Sequence, residues 1–336
     1  MRAFVITGPG RAEVQEVEPP VPGRGEVVVE VERAGVCGTD MEVYSGAMSY
    51  LRTGEARYPV RIGHEWSGTV REAGEGVDPA WLGRRVTGDT MLGCGRCARC
   101  LGGRQHLCAD RYEIGIRHGW PGALAERLPV PVRALQPLPD AVDPVLGALV
   151  EPGGNALRAV DAAALAPGER LLVIGPGTIG LLAALMAAAR GVEAHLLGVT
   201  GESLAFARSL GLTRTWTEPP GHGFDAVIDA SNGRGAPALA LEVVEPGRRV
   251  VLIGLSAEPS RIDTRALVLG DITATGVLSA SGGLAGTIEL YASGRVDPRP
   301  LVAATVSLEE AAAVLAGRRR PEWGHAPKIH VDPRLP

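Results

Sequence analysis

The sequence predicts an α/β protein of two domains, one β-rich and one built round a parallel sheet with helices on both faces. Three observations predict it. The first 150 residues carry short β-branched runs bounded by Gly and Pro, with sparse helical patterning. After Pro152, apolar strands alternate with Ala- and Leu-rich helices, the signature of a parallel sheet covered on both sides. From about residue 295 the β-rich texture returns. A chain of 336 residues suits two such domains.

The expected elements follow in order. R-A-F-V-I, E-V-V-V-E-V-E-R-A and S-G-T-V-R-E-A read as strands of the first part. L-L-V-I-G-P-G-T-I-G-L-L-A-A-L-M-A-A-A-R-G reads as a strand, a glycine turn and a helix. V-E-A-H-L-L-G-V is a second strand, and E-S-L-A-F-A-R-S-L-G is a helix ending at Gly211. F-D-A-V-I-D-A, R-R-V-V-L-I-G and I-T-A-T-G-V are further buried strands. L-E-E-A-A-A-V-L-A-G is a helix before A-P-K-I-H-V-D.

Composition excludes several functions. Net charge is −4 without a long charge run, and aromatic content is 4%, so neither nucleic acid nor a membrane surface is an expected partner. No apolar run of about eighteen residues suggests a membrane span. The first twenty residues lack the apolar core of a secretory signal, so a cytoplasmic protein is expected. Lys328 is the only lysine among many arginines; it reads as coding bias and leaves Schiff-base chemistry almost without a nucleophile.

Four of five cysteines, Cys94, Cys97, Cys100 and Cys108, fall in one run. Four thiolates at this spacing can enclose one Zn²⁺ tetrahedrally with no open position, which makes a structural site. A disulfide knot is the alternative, and it needs an oxidising compartment. His106 lies inside the lobe, where the fourth cysteine makes it unnecessary as a ligand.

G-P-G-T-I-G follows an apolar strand and opens a helix, the context of a dinucleotide-binding turn. Gly175 permits the tight turn, Gly177 lets backbone approach a pyrophosphate, and Gly180 lets helix and strand pack closely. The helix start, with Thr178 and Ile179, turns its partial positive charge to the phosphates. The alternative is an ordinary strand-to-helix turn. At the end of the second strand stand Gly198, Val199 and Thr200, none of them acidic. Gly198 is expected to leave room for a 2′-phosphate, with Thr200 and Ser203 as hydrogen-bonding partners, although no arginine stands beside them. NADP is therefore expected in preference to NAD.

Cys37 stands alone in G-V-C-G-T-D, and G-H-E-W-S-G follows with His64 and Glu65. Glu151 lies in V-E-P near the domain junction. One thiolate, one imidazole and one or two carboxylates, completed by water, suit a catalytic zinc. Taken singly, each has a dull alternative in the core or on the surface.

Together these motifs resemble the zinc-dependent medium-chain dehydrogenase/reductase family, the alcohol dehydrogenase superfamily. G-H-E-x-x-G, continued by Gly74 and Val77, and the four-cysteine run carry the resemblance, which covers essentially the whole chain. Glu151 stands where relatives of alcohol dehydrogenase type have a second cysteine, as in the polyol, threonine and cyclitol dehydrogenase branch. The resemblance implies a GroES-like catalytic domain of residues 1–152 and 295–336, with the metal lobe at 94–108, and a Rossmann domain of residues 153–294. It implies two zinc ions per chain. Cys37 and His64 would hold the catalytic one, with Glu65 and Glu151 sharing the carboxylate role. Asp40 would orient His64, and Thr39 would relay the substrate proton. Many relatives carry a histidine where this chain has Glu42, which either replaces it as a base or is a solvated loop residue. The backbone at Ile253, Gly254 and Leu255, and at Val277, Leu278 and Ser279, would lie near the nicotinamide. Assembly into a dimer or tetramer through I-T-A-T-G-V-L is implied too.

The resulting expectation is hydride transfer between NAD(P) and a small-molecule secondary alcohol or its ketone. The segment from Tyr44 to Tyr58, with Met48, Tyr50, Arg52 and Arg57, is expected to line or cover the pocket, and its polar and aromatic mixture suits a polyol, amino alcohol or aminocyclitol. A zinc-independent enone or quinone reductase and a non-catalytic nucleotide-binding protein are the rival readings.

Overall fold

The structure is a computed structural model that describes residues Met1–Pro336. Strand Glu26–Gly35, whose Val27, Val28, Val29, Val31 and Ala34 are all buried, is the hub of a seven-stranded sheet. It pairs antiparallel with Glu65–Ala73, Arg127–Pro131 and Lys328–Val331. Lys328–Val331 in turn pairs with Val302–Val306, so residues 302–331 complete the sheet that begins with Glu26–Gly35. A smaller sheet of Arg11–Glu16, Arg2–Gly8 and Val60–Arg61 packs with it. Phe4, Ile6, Ile62, Trp66 and Leu128 fill the space between them and are fully buried.

The second sheet has six parallel strands in the spatial order Arg214–Trp216, Glu193–Leu197, Arg170–Ile174, Phe224–Asp229, Val244–Leu252 and Thr273–Gly276. Strand Arg170–Ile174 shows why its sequence reads as a continuous apolar run. Leu171 and Val173 face one hydrophobic cluster, and Leu172 and Ile174 face another. Helix Thr178–Ala189 is apolar nearly all round and is accordingly buried between the sheet and helix Val150–Ala163. Chain order reverses between Arg170–Ile174 and Phe224–Asp229, and a ligand crevice opens at such a reversal.

Five of the six strands coincide with expected runs. Edge strand Arg214–Trp216 does not, because three partly exposed residues carry no periodicity to read. The expected helix over 308–317 is confined to Ala311–Leu315. Helix Val150–Ala163 runs through residue 152, where the texture change had placed a boundary; Pro152 is tolerated there because it lies in the first turn.

Candidate active site and metal centres

The cysteine lobe is held by its own loop and the short helix Ala98–Leu101. All five cysteines are free thiols, so the disulfide alternative is absent. The four sulfurs of Cys94, Cys97, Cys100 and Cys108 lie within 4.8 Å of one another. Cys94 Sγ is 4.0 Å from Cys100 Sγ, and Cys97 Sγ is 3.8 Å from Cys108 Sγ. A tetrahedron with Zn–S bonds of about 2.3 Å has edges of about 3.8 Å, so the set fits zinc. Backbone N–H groups of Arg96 and Cys97 draw the Cys94 thiol down to about 6, whereas burial pushes Cys100 up to about 12. Four simultaneous thiolates therefore need a cation among them. His106 is buried beside the lobe and stands outside the sulfur group.

The second centre is assembled from distant parts of the chain. Cys37 follows strand Glu26–Gly35 and caps helix Gly38–Ser45, while His64 and Glu65 open strand Glu65–Ala73. The pairing of Gly35 with Glu65 across the two strands brings them together. Ligand atoms of Cys37, His64 and Glu65 all lie within 4.8 Å of one another. Asp40 is fully buried. Its carboxylate accepts from Cys37 N at 2.9 Å and Gly63 N at 3.2 Å, which ties together the two loops that carry the ligands. Its Oδ1 is 3.5 Å from His64 Nδ1, too far for a good hydrogen bond but close enough for charge to act. Burial opposes a proton on His64, yet Asp40 and Cys37 overcome it and hold the imidazole well above its ordinary range. The site draws positive charge inward, and a thiolate, an imidazole and a carboxylate fit zinc.

The two carboxylates differ. Glu65 receives Lys328 Nζ on both oxygens, at 2.8 and 2.7 Å, and Lys328 also donates to the Val36 carbonyl at 3.0 Å. Both side chains are buried. Lys328 was read from sequence as coding bias, and this is corrected: all three of its donors are spent on the wall of the metal centre. Burial opposes its charge, and Glu65 and Cys37 more than offset that. The only signal in the sequence was that one lysine survives among 34 basic residues. Glu151, on helix Val150–Ala163, stands outside the three-residue ligand group and accepts from Asn155 Nδ2 at 2.9 Å. Burial, then the charge of Glu65, pushes its carboxyl up to about 7.

Thr39 is half-buried two residues after Cys37, and Glu42 is exposed three residues further along the same helix, so the two share a face. Glu42 lines a groove of about 680 Å³ with Pro9, Tyr44 and Leu315. In the Tyr44–Tyr58 segment, Tyr44 donates to Gly10 O at 3.0 Å and Tyr58 to Val43 O at 2.6 Å, so these phenols hold the segment itself. Tyr50 joins a polar cluster, donating to Glu113 at 3.2 Å and accepting from Arg111 at 3.2 Å.

In the cofactor crevice, a Cβ at Gly180 would fall 1.9 Å from the Gly175 carbonyl oxygen, so only glycine lets the helix start there. A Cβ at Gly177 would meet no protein atom, leaving that side open to a ligand. Gly198 is buried, and its Cβ would stand 2.7 Å from Cγ of Pro176. The expectation of free room at Gly198 is corrected: the residue is packed beneath Pro176, and the open positions are Val199 and Thr200. Thr200 Oγ1 and Ser203 Oγ are 2.7 Å apart at the start of helix Gly201–Ser209. Ile253 and Gly254 hang from the Asp229 carbonyl at 3.0 and 2.8 Å, while Leu255 and Leu278 are exposed beyond them.

Fold and site together define a zinc-binding, dinucleotide-dependent oxidoreductase. Residues 23–140 match the alcohol dehydrogenase GroES-like domain. The chain is 34% identical over 291 residues to the L-threonine 3-dehydrogenase of Saccharopolyspora erythraea, covering 82% of this chain and 83% of that one. A zinc-binding dehydrogenase of Sinorhizobium meliloti bound to NADP superposes with a TM-score of 0.89 at 28% identity, over 99% of both chains. An alcohol dehydrogenase of Escherichia coli complexed with NADH gives 0.89 at 26% identity, also over 99% of both chains. The chain belongs to the zinc-dependent medium-chain dehydrogenase/reductase family. The zinc-independent and non-catalytic readings are not favoured, since a ligand set for a second zinc is present.

Proposed function

We propose that the protein interconverts a secondary alcohol of the polyol, amino-alcohol or aminocyclitol class and its ketone, with NADP(H) in preference to NAD(H). One observation carries the reading: Cys37, His64 and Glu65 meet within 4.8 Å in a chain that also has the glycine turn. Zinc held there by Cys37, His64 and a carboxylate supplies a Lewis acid for the substrate oxygen. Lys328 offsets the charge of Glu65, and Asp40 keeps the loops of Cys37 and His64 in register. Thr39 passes the substrate proton outward, and Glu42, on the same helix face, takes it to solvent. Gly175, Gly177, Thr178, Ile179 and Gly180 cradle the pyrophosphate. Thr200 and Ser203 hold the ribose end, while the backbone at Ile253, Leu255 and Leu278 positions the nicotinamide. The absence of an acid from Gly198 to Thr200 supports NADP. The L-threonine relative supports an amino alcohol.

The catalytic domain of this reading is residues 1–152 with 295–336, and the cofactor domain is residues 153–294. Edge strand Thr273–Gly276, beside exposed Leu255, Val268 and Leu269, supports a dimer formed edge to edge. No helix is long and apolar enough to cross a membrane, and a cytoplasmic site of action accords with the free thiols.

The test is a screen of polyols, amino alcohols and aminocyclitols with both cofactors, followed by absorbance of the reduced nicotinamide, alongside metal analysis. Turnover with two zinc ions per chain is expected. Failure of all three substrate classes would sink the substrate reading, and a strong NAD(H) preference would sink the cofactor reading.

A further inference from the structure

Asp89 makes none of the contacts assigned above, yet it is buried and fully used. It follows strand Arg85–Gly88, where its own N–H donates to Ala134 O at 2.8 Å. Its Oδ1 accepts from Met91 N at 2.9 Å and from Ser281 Oγ at 3.0 Å. Its Oδ2 accepts from Gln105 Nε2 at 2.8 Å. These partners come from three places. Met91 belongs to the sheet segment after the Asp89 turn, Gln105 lies in the cysteine lobe three residues before Cys108, and Ser281 lies in the cofactor-domain loop after strand Thr273–Gly276.

The same loop carries an unusual backbone. Ser279 has φ of 68°, the left-handed region that few residues other than glycine enter without support. Two devices hold it. Arg158 donates to the Leu278 and Ser279 carbonyls, the latter at 2.6 Å. Ser279 Oγ donates a hydrogen bond to Ser281 Oγ at 3.1 Å, and Ser281 Oγ donates one to Asp89 Oδ1 at 3.0 Å. The hydroxyls thus form a chain with one direction that ends on the Asp89 carboxylate. Leu278 and Ser279 are the residues placed beside the nicotinamide.

We propose that Asp89 is a positioning residue that ties the four-cysteine lobe to the loop Val277–Ser281, so that the folded lobe sets where the nicotinamide sits. The nicotinamide half of this rests on the functional reading above. The structural metal then has a second use, since ordering Gln105 orders the last link of the loop's hydrogen-bond chain.

The experiment compares wild-type holoenzyme with Gln105→Met, Ser281→Ala and the double variant. Amide hydrogen exchange is followed at 277–283 and at 103–108, together with zinc content and NADPH kinetics using the 4-deuterated cofactor. Loss of a hydrogen bond to a buried carboxylate should make each single variant lose about tenfold in kcat/KM for NADPH. The isotope effect should rise as hydride transfer slows. Zinc should stay at two per chain. Because both variants cut one chain, the double variant should be little worse than either single. Ser281→Ala lies in the cofactor domain and touches no cysteine, yet it should speed exchange at 103–108, as reciprocal coupling requires. Additive effects, or unchanged lobe exchange in Ser281→Ala, would overturn the tether. Should Gln105→Met shed zinc, Ser281→Ala decides alone by the same lobe readout. A wild type without NAD(P)H turnover would overturn the functional reading, while the exchange result would still decide the tether.

Discussion

The two candidate metal centres of this chain are built on opposite principles. In the lobe, four ligands of one kind lie between residues 94 and 108, on a loop with little core of its own. The loop has only to bring four sulfurs to about the edge of a tetrahedron, and the metal does the rest. The Cys37 group mixes a thiol, an imidazole and a carboxylate that come from a strand end and the start of a second strand. There the protein supplies what the metal does not: Asp40 bridging the two ligand loops, and Lys328 balancing Glu65. A closed site can be encoded locally. A site that must keep a position open for substrate needs the rest of the fold to hold it in shape.

That contrast can be broken in several ways, the largest expected effect first. Cys37→Ala or His64→Ala should remove at least about a thousandfold of turnover, because the Lewis acid is lost. Zinc should fall to one per chain, and NADPH binding followed by fluorescence should persist, since the glycine turn lies in the other sheet. Retention of both zincs would show that neither residue is needed to hold the metal, and loss of both would show that the centres are not independent.

Cys100→Ala attacks the local site. Binding energy of a structural zinc is folding energy, so the variant should lose one zinc and melt at least about 10 °C lower, on the order of several kcal/mol. An unchanged melting temperature would mean the lobe folds without its metal.

Lys328→Met leaves the Glu65 carboxylate buried without its partner. Stranding a buried charge costs about 3–5 kcal/mol, read by denaturant unfolding of the zinc-free protein. Adding Glu65→Gln should recover much of that loss. A double variant as unstable as Lys328→Met alone would show that packing, rather than charge, is what Lys328 contributes.

The smallest effect is a pH dependence. With the Glu151 carboxyl pushed up to about 7 by burial, the folded zinc-free protein binds this proton more tightly than the unfolded chain. Its stabilising contribution is full below about pH 4.5, the unfolded value, and is lost as pH rises through 7. Melting curves of the zinc-free protein should show this decline, and Glu151→Gln should flatten it. An identical decline in both would assign the effect to another group.

Much of this protein was determined by the sequence itself. The β-branched runs, the Ala- and Leu-rich helices, the G-P-G-T-I-G turn and the cysteine spacing are local patterns set by backbone geometry and short-range reach, so the two-domain α/β plan and the lobe ligands can be read directly. Cys37, His64 and Glu65 were legible as types, and the pairing of Gly35 with Glu65 is what brings them together. Other features were decided only by tertiary structure. Lys328 meets Glu65 across 263 residues, and no local pattern says that a lysine so distant will be buried against one carboxylate. Gly198 is expected to leave room because it carries no side chain, but Pro176 from the glycine turn packs where a Cβ would point. Nothing near Asp89 in sequence marks it out, and only the tertiary fold brings Ser281 to 3.0 Å from it. The physical reason is common to all three. Periodicity and spacing record what a chain does with its near neighbours, whereas burial and polar pairing depend on which distant surfaces the fold brings into contact.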